Sequence, residues 1–109
     1  IKEKDILILD EPEIHLHPEW QLVLAEIIVL LQKRLNLHIL INTHSPYFLN
    51  AIEVYSQLHD IRNDMKYYLS YLDEKDGIAN IKDVTGNLEE IYYLLATPLQ
   101  KLNKMAFKF

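Results

Sequence analysis

Two short runs of apolar residues, each followed at once by polar ones, dominate the first half of the chain. Residues 6–9 are aliphatic and precede an Asp-Glu-Pro sequence at residues 10–12. Residues 37–41 are mostly apolar and precede the polar segment at residues 42–46. Apolar runs without alternation are typical of strands buried on both faces, as in a parallel sheet that helices cover. We therefore expect two strands, each with polar residues at its carboxyl end.

A helix is predicted between the two strands. It begins near Pro18, because proline is favoured in the first turn of a helix, and it ends around Asn36. A strand, a helix and a strand of these lengths predict a βαβ unit with a right-handed crossover. The carboxyl ends of its strands would place Asp10, Glu11 and His44 along one rim. Ligands of open α/β sheets bind at this rim.

The remainder of the chain is predicted to contain a helix, a hairpin and a second helix. Residues 47–58 favour a helix. Residues 66–72 and 78–84 indicate two strands, which a five-residue connection containing Gly77 joins. The last element is a helix with one apolar face.

Single residues carry further predictions about the helices. Asn87 and Glu90 have the spacing of a helix cap and its third-position partner. Pro98 should kink or interrupt the final helix. Trp20 lies inside a helix that is apolar nearly all round, which favours a role as a core anchor over one as a base-stacking platform.

The order of these motifs resembles a known family. Residues 6–12 and 41–46, one helix apart, are similar to the Walker B strand and the switch-histidine strand of ABC-type ATPase heads. Residues 13–18 resemble the form found in stand-alone AAA/ABC-like ATPases related to the OLD nucleases and to the RecF and chromosome-maintenance ATPases. The resemblance implies an α/β fold, namely a partial P-loop NTPase fold whose parallel βαβ core is followed by a β-hairpin and a carboxyl-terminal helix.

The resemblance also implies roles for the residues at the rim. Asp10 would hold the Mg²⁺ of bound ATP through a water molecule, and Glu11 would polarise the attacking water. His44 would donate a hydrogen bond to the terminal phosphate. These roles agree with the demands of phosphoryl transfer, which depends on positioning and charge stabilisation. ATP and Mg²⁺ are therefore the expected cofactors.

The segment after the acidic pair permits two interpretations. The resemblance assigns Glu13, His15 and His17 to contacts with a second ATPase head. Alternatively, Glu11, Glu13, His15 and His17 alternate along the chain and would face one side of an extended segment, as ligands of a transition metal. A metal-dependent nuclease that uses Asp10, Glu11, His15 and His17 is the third choice.

The chain lacks a phosphate-binding loop. No Gly-x-x-x-x-Gly-Lys-Ser/Thr sequence occurs, and Gly77 and Gly86 are its two glycines. Residue 1 is isoleucine rather than an initiator methionine. We therefore expect residues 1–109 to be the carboxyl-terminal portion of one ATPase domain, with the P-loop half absent. The competing hypothesis is a non-hydrolysing scaffold derived from such an ATPase.

Composition limits the classes of partner. The 109 residues are 50% hydrophobic and 25% charged, with a net charge of -5. This charge argues against a broad nucleic-acid surface here, so that nucleic acid would bind through regions outside this chain. The lack of cysteine excludes disulfides and agrees with a cytoplasmic location, and no run of consecutive apolar residues is long enough to span a bilayer. The expected partners are a second head and an effector such as a nuclease, as in Septu-like or retron-associated defence systems.

Overall fold

The computed structural model describes residues 1–73 and 75–106. The chain divides into two compact units, Ile1–Asp64 and Met65–Phe109. The first unit contains the predicted βαβ motif, and the second contains the predicted hairpin and final helix.

The first unit is built on a two-stranded parallel sheet. Strand β1 spans Ile6–Asp10 and strand β2 spans His38–Asn42. Their register pairs Ile6 with His38 at one end and Asp10 with Asn42 at the other. The predicted parallel pairing is confirmed, and both strands therefore end at the same edge of the sheet.

Two helices accompany this sheet and pack against each other. Helix α1 spans Pro18–Leu35 and ends at Asn36, whose left-handed backbone forms the carboxyl-terminal cap. Helix α2 spans Pro46–Leu58 and begins after Ser45, whose hydroxyl caps the first turn. The buried apolar side chains described in this unit are small or branched, with one aromatic ring: Ala25, Ile28, Val29, Leu37, Phe48, Leu49, Ala51, Ile52 and Ile61.

The prediction that both faces of the sheet are buried is wrong for this chain. Alternate residues of each strand are half-buried, whereas Ile6 (74% exposed), Ile8 and Leu40 lie open to solvent on the other face. Trp20 was expected in the core but is 64% exposed. Helix α1 buries only one stripe of its surface, and an apolar residue outside that stripe cannot reach the core.

The second unit contains a hairpin and a helix. Strands β3 (Tyr68–Leu72) and β4 (Ala79–Asp83) pair in antiparallel fashion. Gly77 lies in the connection with a φ of +69°, a conformation that glycine adopts without steric cost. Just after β4, the hydroxyl and backbone N–H of Thr85 both donate to the Asp83 carboxylate, and these bonds lower its pKa.

Helix α3 spans Glu89–Ala106 and differs from its prediction in two ways. It begins two residues after Asn87, so Asn87 is not its amino-terminal cap. Pro98 lies inside the helix, so the predicted interruption is wrong, and the alternative of a kink stays a prediction. Pro98 is exposed, and solvent can therefore hydrogen-bond the carbonyl that its missing N–H leaves without a helical partner.

The described helices do not meet the requirements for crossing a bilayer. None of them, over residues 1–73 and 75–106, combines the necessary length with a sufficiently apolar sequence.

Candidate functional site

The candidate site lies where β1 and β2 end. Asp10 and Asn42 are the last residues of the two strands and are paired in register. The side-chain amide of Asn42 donates a hydrogen bond of 2.8 Å to Oδ1 of Asp10. Both residues are exposed. The amide thus fixes the orientation of a carboxylate that remains open to solvent, an arrangement suited to a hard cation or to its bound water.

Glu11 leaves the strand with an unusual backbone conformation. Its φ is +45°, in the left-handed region that costs a residue with a side chain about 1–2 kcal/mol. Its backbone N–H donates to the carbonyl of Asn42 at 2.7 Å, which extends the contact between the two chain segments past the strands. Strained backbone of this kind often occurs at functional sites. Here it turns the chain immediately after Asp10.

The structure brings Glu11 and His44 together. Nδ1 of His44 lies 2.6 Å from Oε1 of Glu11. Because an ionised carboxylate is only an acceptor, a hydrogen bond between ionised Glu11 and His44 requires the proton on Nδ1. The His44 side chain is 76% exposed and that of Glu11 is 32% exposed. The pair consequently presents a carboxylate and an imidazole to solvent at the same edge.

Glu13 occupies a different environment from Glu11. It is only 4% exposed, and its Oε1 accepts a hydrogen bond from the hydroxyl of Thr43. Its Oε2 is buried and has no hydrogen-bond partner among the described residues. The resemblance assigns Glu13 to contacts with a second head, and that assignment stays a prediction, although the Glu13 side chain is buried in this chain. The interface prediction for this segment therefore rests more on its exposed residues.

Both neighbours of His44 are tied to other parts of the first unit. Thr43 donates to Glu13, and Ser45 donates from its hydroxyl to Oε1 of Gln21 on α1 at 2.8 Å. The same Ser45 hydroxyl accepts from the N–H of Phe48 at 3.2 Å and so caps α2. His44 therefore sits on a backbone that is held on either side.

The segment between the acidic pair and α1 is a series of turns and not an extended strand. Backbone hydrogen bonds join Ile14 to Glu11 and Leu16 to Glu13. Alternation along the sequence therefore does not place Glu11, Glu13, His15 and His17 on one side. Within the described parts of the chain, no three His, Cys, Asp or Glu side chains are grouped to hold a metal ion. The geometry gives no support to a transition-metal site here.

The two histidines of this segment differ in their local roles. Nδ1 of His17 accepts a hydrogen bond of 3.2 Å from the N–H of Glu19 and thereby caps α1. His15 is exposed in the preceding turns. The role of these histidines at a second head stays a prediction.

Sequence reasoning missed the residues that support the pair. Asn42, Thr43 and Gln21 had no assigned part, yet each bonds to a residue at the site or beside it. A signal for Asn42 was present, because residues that end neighbouring parallel strands lie side by side. The bond to Gln21 depends on how α1 packs, which local sequence does not reveal.

Comparison with known proteins gives a family match over the first part of the chain. Residues 1–50 match the family model described as "AAA domain, putative AbiEii toxin, Type IV TA system". The matched stretch contains β1, α1 and β2 together with Glu11 and His44. No solved structure gives a significant match. The first 50 residues are thus similar to part of an AAA-type, ATPase-like domain, and this similarity indicates a nucleotide-binding function.

Proposed function

We propose that this chain forms the hydrolytic edge of an ATPase head, at which Glu11 and His44 act on the terminal phosphate of ATP. The observation that carries the proposal is the 2.6 Å contact between these two side chains at the carboxyl ends of two parallel strands. The family match over residues 1–50 supports its coarser part, an ATPase-like, nucleotide-binding function. The P-loop of such a head would have to come from sequence outside this chain.

Asp10 is the residue that would hold the Mg²⁺ ion. Its carboxylate supplies the oxygen ligand that Mg²⁺ prefers, and Asn42 orients it from the neighbouring strand. A bound Mg²⁺ would neutralise charge on the phosphate oxygens. In the proposal Asp10 acts through a water molecule, since Mg²⁺ usually retains several waters.

Glu11 and His44 divide the remaining chemistry. With Oε1 engaged by His44, the second carboxylate oxygen of Glu11 can accept a proton from the attacking water and orient that water toward the phosphorus. Glu11 engages Nδ1 of His44, which leaves Nε2, on the opposite side of the ring, to bind the phosphate. In the protonated ring this nitrogen donates a charge-assisted hydrogen bond to a phosphate oxygen.

The proposal extends to assembly. ATP held between two heads favours their closed pair, and hydrolysis removes the contacts that distinguish the closed from the open state. The exposed residues Ile14, His15 and Leu16 lie in the turns that follow Glu11 and would contact the second head. Opening and closing would then control an effector, for which a nuclease in a defence system against phage is our proposal.

Glu11→Gln in the complete gene product is the first test. The amide keeps the shape of the side chain but cannot take a proton, so we expect ATP hydrolysis to fall about a hundredfold or more. ATP binding should persist, and ATP-bound dimers should accumulate. Steady-state kinetics measure the loss of hydrolysis, and light scattering with ATP measures the accumulation of dimers, which also requires that ATP binding persists.

A matched control exists in the same unit. Nε2 of His59 lies 3.3 Å from Oε2 of Glu26, at the other end of α2 from Ser45. Glu26→Gln changes the same chemical group in a similar pair, and we expect hydrolysis to stay within about twofold because this pair is remote from the strand ends. Equal hydrolysis in the Glu11→Gln variant and the parent would refute the proposed role.

One structural feature favours the scaffold as the second candidate. Ile6, Ile8 and Leu40 form an exposed apolar face on the sheet, and such a face can pack against another polypeptide without any hydrolysis. A complete gene product that binds its partner and hydrolyses no ATP would support the scaffold. The nuclease with its own metal site finds no support in the described side chains.

A further inference from the structure

His44 is the more exposed member of the proposed catalytic pair. Its two neighbours in the chain, Thr43 and Ser45, are nevertheless partly buried and hydrogen-bonded. An exposed imidazole on an unrestrained loop would sample many positions, and catalysis needs its ring at a fixed distance from Glu11. The contacts of Thr43 are the feature that restrains it.

Thr43 is the centre of a short hydrogen-bond chain. Its hydroxyl donates to Oε1 of Glu13 and accepts from the backbone N–H of Ser45 at 3.1 Å. One side chain thus fixes the backbone before and after His44. The acceptor, Glu13, lies two residues after Glu11 in the turn that leaves β1. The restraint therefore links the loop that carries the imidazole to the loop that carries the carboxylate.

Glu13 is poorly suited to a purely structural role. Its side chain is buried, and Oε2 has no hydrogen-bond partner in the described part of the chain. A buried oxygen without a partner destabilises the fold. Residues that break the rules of stable packing are expected mainly at functional sites.

We propose that Glu13 and Thr43 are positioning residues that hold His44 against Glu11, an inference that rests on the proposed function for its catalytic consequence. Neither residue touches the substrate. Glu13 accepts the hydrogen bond that orients the Thr43 hydroxyl, and Thr43 fixes the backbone of Ser45. Loss of the link leaves both catalytic side chains present but separates them for part of the time.

Thr43→Val and Thr43→Ser in the complete gene product form the test. Valine keeps the volume of threonine without the hydroxyl, whereas serine keeps the hydroxyl. Hydrogen–deuterium exchange of the peptide that covers residues 43–46 reports on the restraint without any need for activity. We expect exchange to become about fivefold to tenfold faster in Thr43→Val, as expected for the loss of one or two hydrogen bonds, and to stay near the parent in Thr43→Ser.

Kinetics supply the second readout. We expect kcat for ATP hydrolysis to fall about fivefold to tenfold in Thr43→Val while KM for ATP stays within about twofold, because geometry and not binding is affected. Thr43→Ser should restore most of kcat. Thr97→Val is the control, since its hydroxyl bonds to the carbonyl of Tyr93 on α3. It should change neither readout.

The two readouts separate the failure of this inference from that of the proposed function. Unchanged exchange and unchanged kcat in Thr43→Val would overturn the positioning role while the parent still hydrolyses ATP. Faster exchange in Thr43→Val, together with a parent that hydrolyses no ATP, would support the restraint and refute its catalytic purpose. Glu13→Gln keeps an acceptor for the Thr43 hydroxyl and should therefore resemble Thr43→Ser, and a loss equal to that of Thr43→Val would contradict the hydrogen-bond chain.

Discussion

At the scale of single residues, the contact between Glu11 and His44 has consequences that mutation can measure. Side chains that act together on one phosphate lose their joint effect when either is removed, and their free-energy changes are then not additive. We expect Glu11→Gln and His44→Ala each to lower kcat strongly. The double variant should have a kcat close to that of the slower single variant. A kcat series on the four proteins gives the coupling free energy, for which we expect about 1–3 kcal/mol.

The pair formed by Glu26 and His59 provides the comparison for this cycle. The distance of 3.3 Å between Nε2 of His59 and Oε2 of Glu26 is also short enough for a hydrogen bond. His59, however, follows the carboxyl-terminal end of α2, away from the strand ends. The corresponding double-mutant cycle on kcat should give a coupling near zero. Purely additive effects of Glu11→Gln and His44→Ala would count against a shared phosphate.

Residue types and their order along the chain were enough to identify Asp10, Glu11 and His44 as candidates. Each follows an apolar run, and parallel strands end at a common edge. The burial of Glu13 could not be foreseen, because it results from the tight turns of residues 11–16 rather than from an extended segment. The exposure of Trp20 was likewise hidden, since a helix that is apolar all round gives no sign of the face it buries.

At the scale of elements, the sequence predicts where α1 begins and ends better than it predicts which of its residues are buried. Helix α1 begins and ends at the residues expected, because Pro18 and Asn36 are local signals. Helix α3 was predicted less well. Its start depends on the turn that follows Val84, and Pro98 is accommodated because it faces solvent.

Asn36 allows a direct test of how α1 ends. Its φ of +51° lies in the left-handed region, which asparagine tolerates better than alanine and which glycine adopts freely. We expect Asn36→Ala to lower the free energy of unfolding by about 1 kcal/mol and Asn36→Gly to change it by less than about 0.5 kcal/mol in either direction. Chemical denaturation of the three proteins measures both changes. An alanine variant as stable as the glycine variant would show that α1 ends differently.

At the scale of the whole molecule, the sequence match and the candidate site coincide in one unit. Residues 1–50 match the family model, and the hydrogen bonds around His44 all lie within residues 1–64. The antiparallel hairpin and α3 form the other compact unit, which contributes none of the residues assigned to the site. The apolar face of β1 and β2 is exposed in this chain. Sequence periodicity predicted that face as buried because it records that a residue is apolar, and not which polypeptide covers it.

The most direct test of the central claim is the structure of the complete gene product with Glu11→Gln, ATP and Mg²⁺. The account predicts the terminal phosphate beside the ends of β1 and β2, with an His44 ring nitrogen and the residue 11 side chain both within about 3.5 Å of a phosphate oxygen or its attacking water. Asp10 should lie next to the ion. ATP bound elsewhere, or His44 turned away from its terminal phosphate, would contradict the account.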